Sequence, residues 1–180
     1  MVMKYRLNNL TKVLLVLIVF YCVGCADKLR LIQTSFTGNQ LRIDGYYYDH
    51  YLHDENRDYY DPIILYRNGV IINGWVENSL ESIDNTFLDE KRLGYIKNNQ
   101  ERWGIYQIEG DSIKIEKLYH SNAWFFQAYI MSAKILNDTT FVLTTVERSG
   151  KPWTKKEELP SKYHFRQFCP KPDSTNIYVK

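Results

Sequence analysis

The chain has 180 residues, 44% hydrophobic, 15% aromatic and 24% charged, with a formal net charge of +2. That length suits one domain with a core large enough to fold without metal or disulfide, and the balance of charge excludes the strongly basic surface that nucleic acid requires. Lys4, Arg6 and Lys12 all precede an apolar run; without them, 20 of the 23 basic residues stand against 21 acids, a net of −1.

The chain opens with that basic stretch, then Val13 to Val23 without a charge, then Gly24 and Cys25. A charged start, a short apolar middle and a small-residue end are the plan of a secretory signal. A membrane-spanning helix needs roughly 18 to 20 apolar residues, and this run is bounded by Lys12 and Asp27. A plain cleaved signal would leave Cys25 an ordinary residue. A redox pair of Cys22 and Cys25 is disfavoured, because Cys22 lies inside the apolar run. The Gly24-Cys25 ending resembles the lipobox of bacterial lipoproteins, although Cys22 stands where that motif usually has Leu. The resemblance implies a signal peptide over residues 1–24 and cleavage before Cys25. It also implies lipidation of Cys25 with diacylglyceryl and fatty acyl (palmitate-type) groups. Ala26 after the cysteine implies the outer membrane. The expected location is therefore the bacterial cell envelope, with the lipid anchor as the contact with the membrane.

Residues 25–40 form the connecting segment. Leu29, Leu31, Ile32 and Phe36 make it too apolar for a free linker, so part of it is expected on the domain. Leu41 to Tyr48 alternates as a strand does, with Gly45 allowing a kink. His50 to Asp61 is polar and tyrosine-rich and reads as a long loop closed by Pro62. Ile63 to Arg67, Asn68-Gly69 and Val70 to Trp75 form the clearest hairpin, read as a type I′ turn. From Asn78 to Leu93 the period lengthens. Leu80, Ile83, Phe87 and Leu88 predict one helix capped by Asn78 or Ser79, broken near Asp89 and ended by Gly94. Trp103 to Ile108 and Ser112 to Leu118 form a second hairpin about Glu109-Gly110-Asp111. Ala123 to Leu136 and Thr139 to Arg148 flank Asn137-Asp138. Ser149 to Ser161 reads as a charged loop, Tyr163 to Cys169 as the last strand, and residues 170–180 as a frayed polar tail. Cys169 has no intramolecular partner left and reads as a buried thiol beside Phe168.

The count is about eight strands joined by short turns, which meet the problem of unpaired edges most simply by closing. The expected fold is mainly β, an eight-stranded antiparallel meander barrel over residues 41–169 with one helical insertion; a two-sheet sandwich is the alternative. Three stretches carry a resemblance to lipocalin-like (calycin-type) bacterial lipoproteins of unknown function. They are Asp44-Gly45-Tyr46-Tyr47, Ile64-Leu65-Tyr66-Arg67-Asn68-Gly69, and Trp103-Gly104-Ile105-Tyr106 running into Gly110-Asp111-Ser112-Ile113. Lipocalins begin with Gly-x-Trp where this chain has Gly45-x-Tyr47, and their Thr-Asp-Tyr motif is absent, so the resemblance implies the barrel more than any ligand.

Asp49, His50, His53, Asp54, Glu55, Asp58 and Asp61 mix imidazole with carboxylate, the donors a first-row metal takes. His50 and His53 are three apart, however, and would face opposite sides of a strand. No metal site is assigned and no cofactor is expected. No nucleophile elbow, zincin, phosphate-loop or kinase motif occurs, so no catalytic residue is assigned and the expectation is not an enzyme. The aromatic residues on predicted strands, Tyr47, Tyr66, Trp103, Tyr106, Trp124 and Phe126, are the candidate ligand-binding set, with core filling as the plainer role. The functional expectation is a lipoprotein whose barrel binds a small apolar or amphipathic ligand. The alternative is a packed barrel that grips another envelope protein through loops such as Tyr59-Tyr60 and Trp153.

Overall fold

The computed structural model describes residues 27–53, 57–122, 125–151 and 157–179. The signal segment, Cys25, Asp54, Glu55, Trp124 and Trp153 lie outside the described residues, as does the side chain of His53.

Strands form where the sequence alternates: β1 (Gly45–His53), β2 (Arg57–Leu65), β3 (Val70–Asn73), β4 (Trp103–Glu109), β5 (Ser112–Asn122), β6 (Phe125–Asn137), β7 (Thr140–Arg148) and β8 (Glu157–Gln167). Each pairs antiparallel with the next, and β8 returns to β1 with Gly45 opposite Gln167 and Tyr47 opposite Phe165. The result is a closed eight-stranded meander, which leaves no sheet edge unpaired. A sandwich is excluded by the β1–β8 pairing.

The expected long loop from His50 to Asp61 is instead mostly strand. β1 and β2 pair from Tyr47 opposite Ile63 out to His53 opposite Arg57. Ring pairs hold this extension, with Tyr51 stacked on Tyr59 at 5.9 Å and His50 on Tyr60 at 4.7 Å. Its polarity was misleading because Tyr51, Tyr59 and Asp61 face a polar part of the interior, while His50 and Asp58 alternate to the exposed outside. Pro62 is tolerated where the β2–β3 ladder stops, just beyond Ile63 opposite Asn73. The last strand likewise begins at Glu157 rather than Tyr163. Pro160 falls where the β7–β8 register shifts between Leu143 and Thr145, a bulge that needs no proline N–H.

The first hairpin forms as expected, with a different turn. Gly69 N–H donates to the Tyr66 carbonyl at 3.0 Å, so Arg67 and Asn68 are the central residues. Gly69 follows at φ +80°, which suits glycine. This is the longer loop with a glycine bulge, not the two-residue type I′ form.

The helical insertion is two helices, α1 (Leu80–Leu88) and α2 (Glu90–Lys97), hinged at Asp89. Ser79 caps α1 by accepting from Ser82 N–H. Asp89 ends α1 through its own N–H to the Asn85 carbonyl. Its carboxylate then caps α2 by accepting from Lys91 and Arg92 N–H at 2.9 and 3.0 Å. Gly94 does not stop α2, because Leu93 and the fully buried Ile96 dock the turns on either side of it. No helix among the described residues is long and apolar enough to cross a membrane.

Two cores result. The inner one fills the barrel with Tyr47, Ile63, Leu65, Ile71, Tyr106, Ile113, Ile115, Met131, Phe141 and Leu143, and Phe36 and Leu41 of the connecting segment join it. The outer one lies on the other face of β1 to β4. There Tyr46, Ile64, Ile72, Trp103 and Ile105 pack beneath Ile83, Phe87 and Ile96 of the helices, together with Phe168 and Val179. The tail is thus docked rather than frayed. Lys171 Nζ donates to the carbonyls of Ile43 and Leu65 at 2.5 and 2.8 Å, and Tyr178 Oη donates to the Asn98 carbonyl at 2.6 Å. Cys169 is exposed, contrary to the expected buried thiol, because Phe168 takes the inward position before it.

Candidate functional site

Alternation along the strands sorts the barrel interior into two halves. At the end reached by the β2–β3, β4–β5 and β6–β7 turns, the interior is apolar and closed. The Tyr47 hydroxyl donates to the Asp138 carbonyl at 2.8 Å, and the Tyr106 hydroxyl donates to the Tyr66 carbonyl at 2.8 Å. Phe36 meets Tyr106 edge-on at 6.1 Å. Every ring here is spent on packing, and every hydroxyl on a backbone partner.

Toward the other end, the mouth, the inward positions change character. After Tyr47, β1 presents Asp49 and Tyr51; before Ile63, β2 presents Asp61 and Tyr59. Asp49 and Asp61 are direct cross-strand partners. Beyond Ile113 and Ile115, β5 presents Lys117 and Tyr119, and β6 adds Tyr129, edge-on to Tyr119 at 5.6 Å. Lys117 is buried with its Nζ 4.5 Å above the Tyr119 ring. Gly104 makes room for its stem, since a Cβ there would lie 3.0 Å from Lys117 Cβ and 2.4 Å from the Glu116 carbonyl oxygen. Tyr163 of β8 completes the layer, stacked on Phe141 at 4.8 Å.

Burial pushes the Tyr163 hydroxyl well above its usual value, and it feels the charges of Asp61 and Asp49 and the neighbouring Tyr119 and Tyr51, which push it further. Desolvation raises the Asp49 carboxyl and Asp61 adds to the rise, while a hydrogen bond with Ser161 opposes it. Tyr51 and Tyr119 keep 38% and 37% of their surface exposed, so the layer is accessible.

Asn73 adds a further group. It follows inward-facing Ile71 by two residues and pairs with inward-facing Ile63, so its side chain points into the barrel one step from Asp61. It is 4% exposed, and its Oδ1 has no hydrogen-bond partner. A buried acceptor left unmade costs about 1–3 kcal/mol.

Of the six aromatic residues singled out from sequence, the five described ones do not form one set. Tyr47 and Tyr106 lie in the closed half of the barrel. Tyr66 and Trp103 lie on the outer face, with Trp103 Nε1–H donating to the Lys97 carbonyl at 2.9 Å and the Lys171 ammonium 4.6 Å over the Tyr66 ring. Phe126 sits beside His120 at 4.3 Å, and Trp124 lies outside the described residues. His50 is an exposed residue bonded to Asp58 at 2.6 Å. Among the described residues, no three His, Cys, Asp or Glu side chains converge as a metal site.

The mouth layer was missed because Tyr51, Tyr59 and Asp61 were assigned to a loop. The signal was present: Tyr47, Asp49 and Tyr51, then Tyr59, Asp61 and Ile63, fall at intervals of two. A concavity of about 390 Å³ lies outside the barrel, lined by Leu29, Leu31, Trp103 and Tyr178. No family model matches the chain, and neither curated proteins nor solved structures provide a match.

Proposed function

We propose that this chain is a non-enzymatic, lipid-anchored envelope lipoprotein that holds a small amphipathic ligand in the mouth half of its barrel. The observation that carries this reading is the unpartnered, buried Asn73 Oδ1, set in a layer of tyrosine rings and carboxylates that remains accessible. A site that orients a ligand needs a few convergent polar groups among ring faces, and the mouth half supplies both. The closed apolar half offers the ligand a floor and no exit. The anchor at Cys25 rests on the lipobox-like ending of the apolar run.

Native mass spectrometry of the mature protein, purified gently from its own envelope, tests the binding reading. The expected result is an extra mass that disappears on denaturation and is lost in an Asn73→Ala, Asp61→Asn variant. A bare polypeptide mass in repeated preparations counts against it. The anchor is tested separately. Cys25→Ser is expected to abolish incorporation of labelled palmitate and release the protein from membranes, and unchanged membrane association refutes the anchor.

A further inference from the structure

The mouth layer also narrows the chemistry of the ligand. Asp49 and Asp61 face one another directly across β1 and β2, an arrangement that is destabilising between like charges unless something positive lies near. Among the described residues, neither carboxylate has a Lys, Arg or His within ion-pair distance. Lys117 shares the interior, but its ammonium is placed over the Tyr119 ring. The third polar group, Asn73 Oδ1, is again an acceptor, 96% buried and without a donor. The rings of Tyr51 and Tyr119 are partly exposed and electron-rich, Tyr51 with one face stacked on Tyr59 and Tyr119 with one face under Lys117. Acceptors and ring faces are thus present together, and among the described residues no charged donor pairs with the two carboxylates.

We propose that the mouth of the barrel receives an organic ammonium ion: a protonated amine on an apolar stem, held by Asp49, Asp61 and Asn73. This rests on the ligand-binding reading above and names the ligand's class. An ammonium group has three donors and no acceptor, which suits acceptors carried on the inner face of the adjacent strands β1, β2 and β3. Its stem lies against the tyrosine rings, which attract a cation and bury methylene groups equally well. A carboxylate or phosphate head would meet two like charges. A neutral alcohol has one proton to donate and no charge to set against the two carboxylates.

The test uses three probes of equal chain length, n-hexylamine, 1-hexanol and hexanoate, titrated calorimetrically at neutral pH into the mature protein. Hexylamine is expected to bind at least about tenfold more tightly than hexanol, with hexanoate weakest. In Asp49→Asn, Asp61→Asn protein that preference is expected to vanish while hexanol binding stays. If that variant does not fold, Asp61→Asn alone is expected to remove most of the preference. Equal or better binding of hexanol or hexanoate to the wild type overturns the cation assignment and leaves ligand binding standing. A preference that survives in the Asp→Asn variants overturns the assigned residues. No heat from any probe, with a bare native mass, overturns the binding reading beneath the proposal.

Discussion

Glu116 offers the most direct check on how the domain holds its N-terminal connecting segment. It sits on the outer face of β5, is fully buried, and its Oε2 accepts from the backbone N–H groups of Arg30 and Leu31, each at 2.6 Å. Its Oε1 accepts from the Ser149 hydroxyl, beside the β7–β8 connection. One carboxylate thus ties three chain segments together. Hydrogen bonds to a charged acceptor contribute about 1.5–3 kcal/mol each, but the Arg30 and Leu31 amides are partly exposed and regain water once freed. Glu116→Ala is therefore expected to cost about 3 kcal/mol. For a domain of this size that lowers Tm by about 6–12 °C. Glu116→Gln keeps an acceptor for the two amides and can donate to Ser149, so it should cost about half as much. Urea unfolding measures the loss, and hydrogen exchange at Arg30 and Leu31 locates it. A loss below about 0.5 kcal/mol, with unchanged exchange at both amides, refutes the argument, because that is the range of a surface substitution.

Asp84 joins α1 to the barrel, accepting from Arg166 Nη2 at 2.6 Å and from the buried Tyr46 hydroxyl at 2.9 Å. Asp84→Ala should cost about 1–3 kcal/mol in urea unfolding, and Tyr46→Phe in that background should recover part of it. Gly45→Ala should destabilise by about 1–3 kcal/mol, since its Cβ would meet the Arg166 carbonyl oxygen at 2.0 Å in the ladder that closes the barrel; a neutral effect on Tm would contradict that packing. Stability should rise and then fall in alkali. Burial pushes the Lys171 ammonium down to about 8 from 10.5, so above pH 8 the unfolded chain binds the extra proton and stability increases with pH. From about pH 10 the order reverses. Burial holds Tyr46, Tyr47, Tyr66, Tyr106 and Tyr163 protonated in the native state after unfolded tyrosines ionise. Urea midpoints between pH 7 and pH 11 check both limbs, and a steady fall from pH 8 refutes the first.

The elements legible in the sequence were those settled by neighbouring residues. The hairpin about Asn68-Gly69 forms because only a few residues decide a turn, although the bond from Gly69 to Tyr66 selects its longer form. The helical break at Asp89 was legible for the same reason: one short side chain ends α1 and caps α2. Hydrophobic character in the connecting segment foretold its docking, and Phe36 reaches the inner core. The mouth layer was hidden because a polar residue facing a polar interior has the composition of a loop. Asp49, Tyr51, Tyr59 and Asp61 become a site only when β1 and β2 are in register and Tyr163 and Tyr119 arrive from β8 and β5.

The aromatic candidates make the same point from the other side. Tyr46 and Tyr47 are adjacent and both buried, one in the outer core and one in the inner. Alternation alone separates two faces without saying which faces the barrel axis. On β1 to β4 both faces are apolar, because the helices and the docked tail cover the outside. Trp103 and Tyr66 therefore pack in the outer core and do not line the barrel interior.

By itself the sequence determined a mainly β chain of eight alternating segments, joined by short turns and interrupted once by helical periodicity. Those are local properties, set by the two-residue repeat of a strand and the backbone demands of a turn. Only the tertiary structure decided that β8 closes on β1, that Leu29, Leu31 and the tail pack on the outside while Phe36 and Leu41 enter the inner core, and that the acid and tyrosine positions share the mouth. Each of these depends on contacts between residues far apart in the chain, and a pattern of short period carries no information about such contacts.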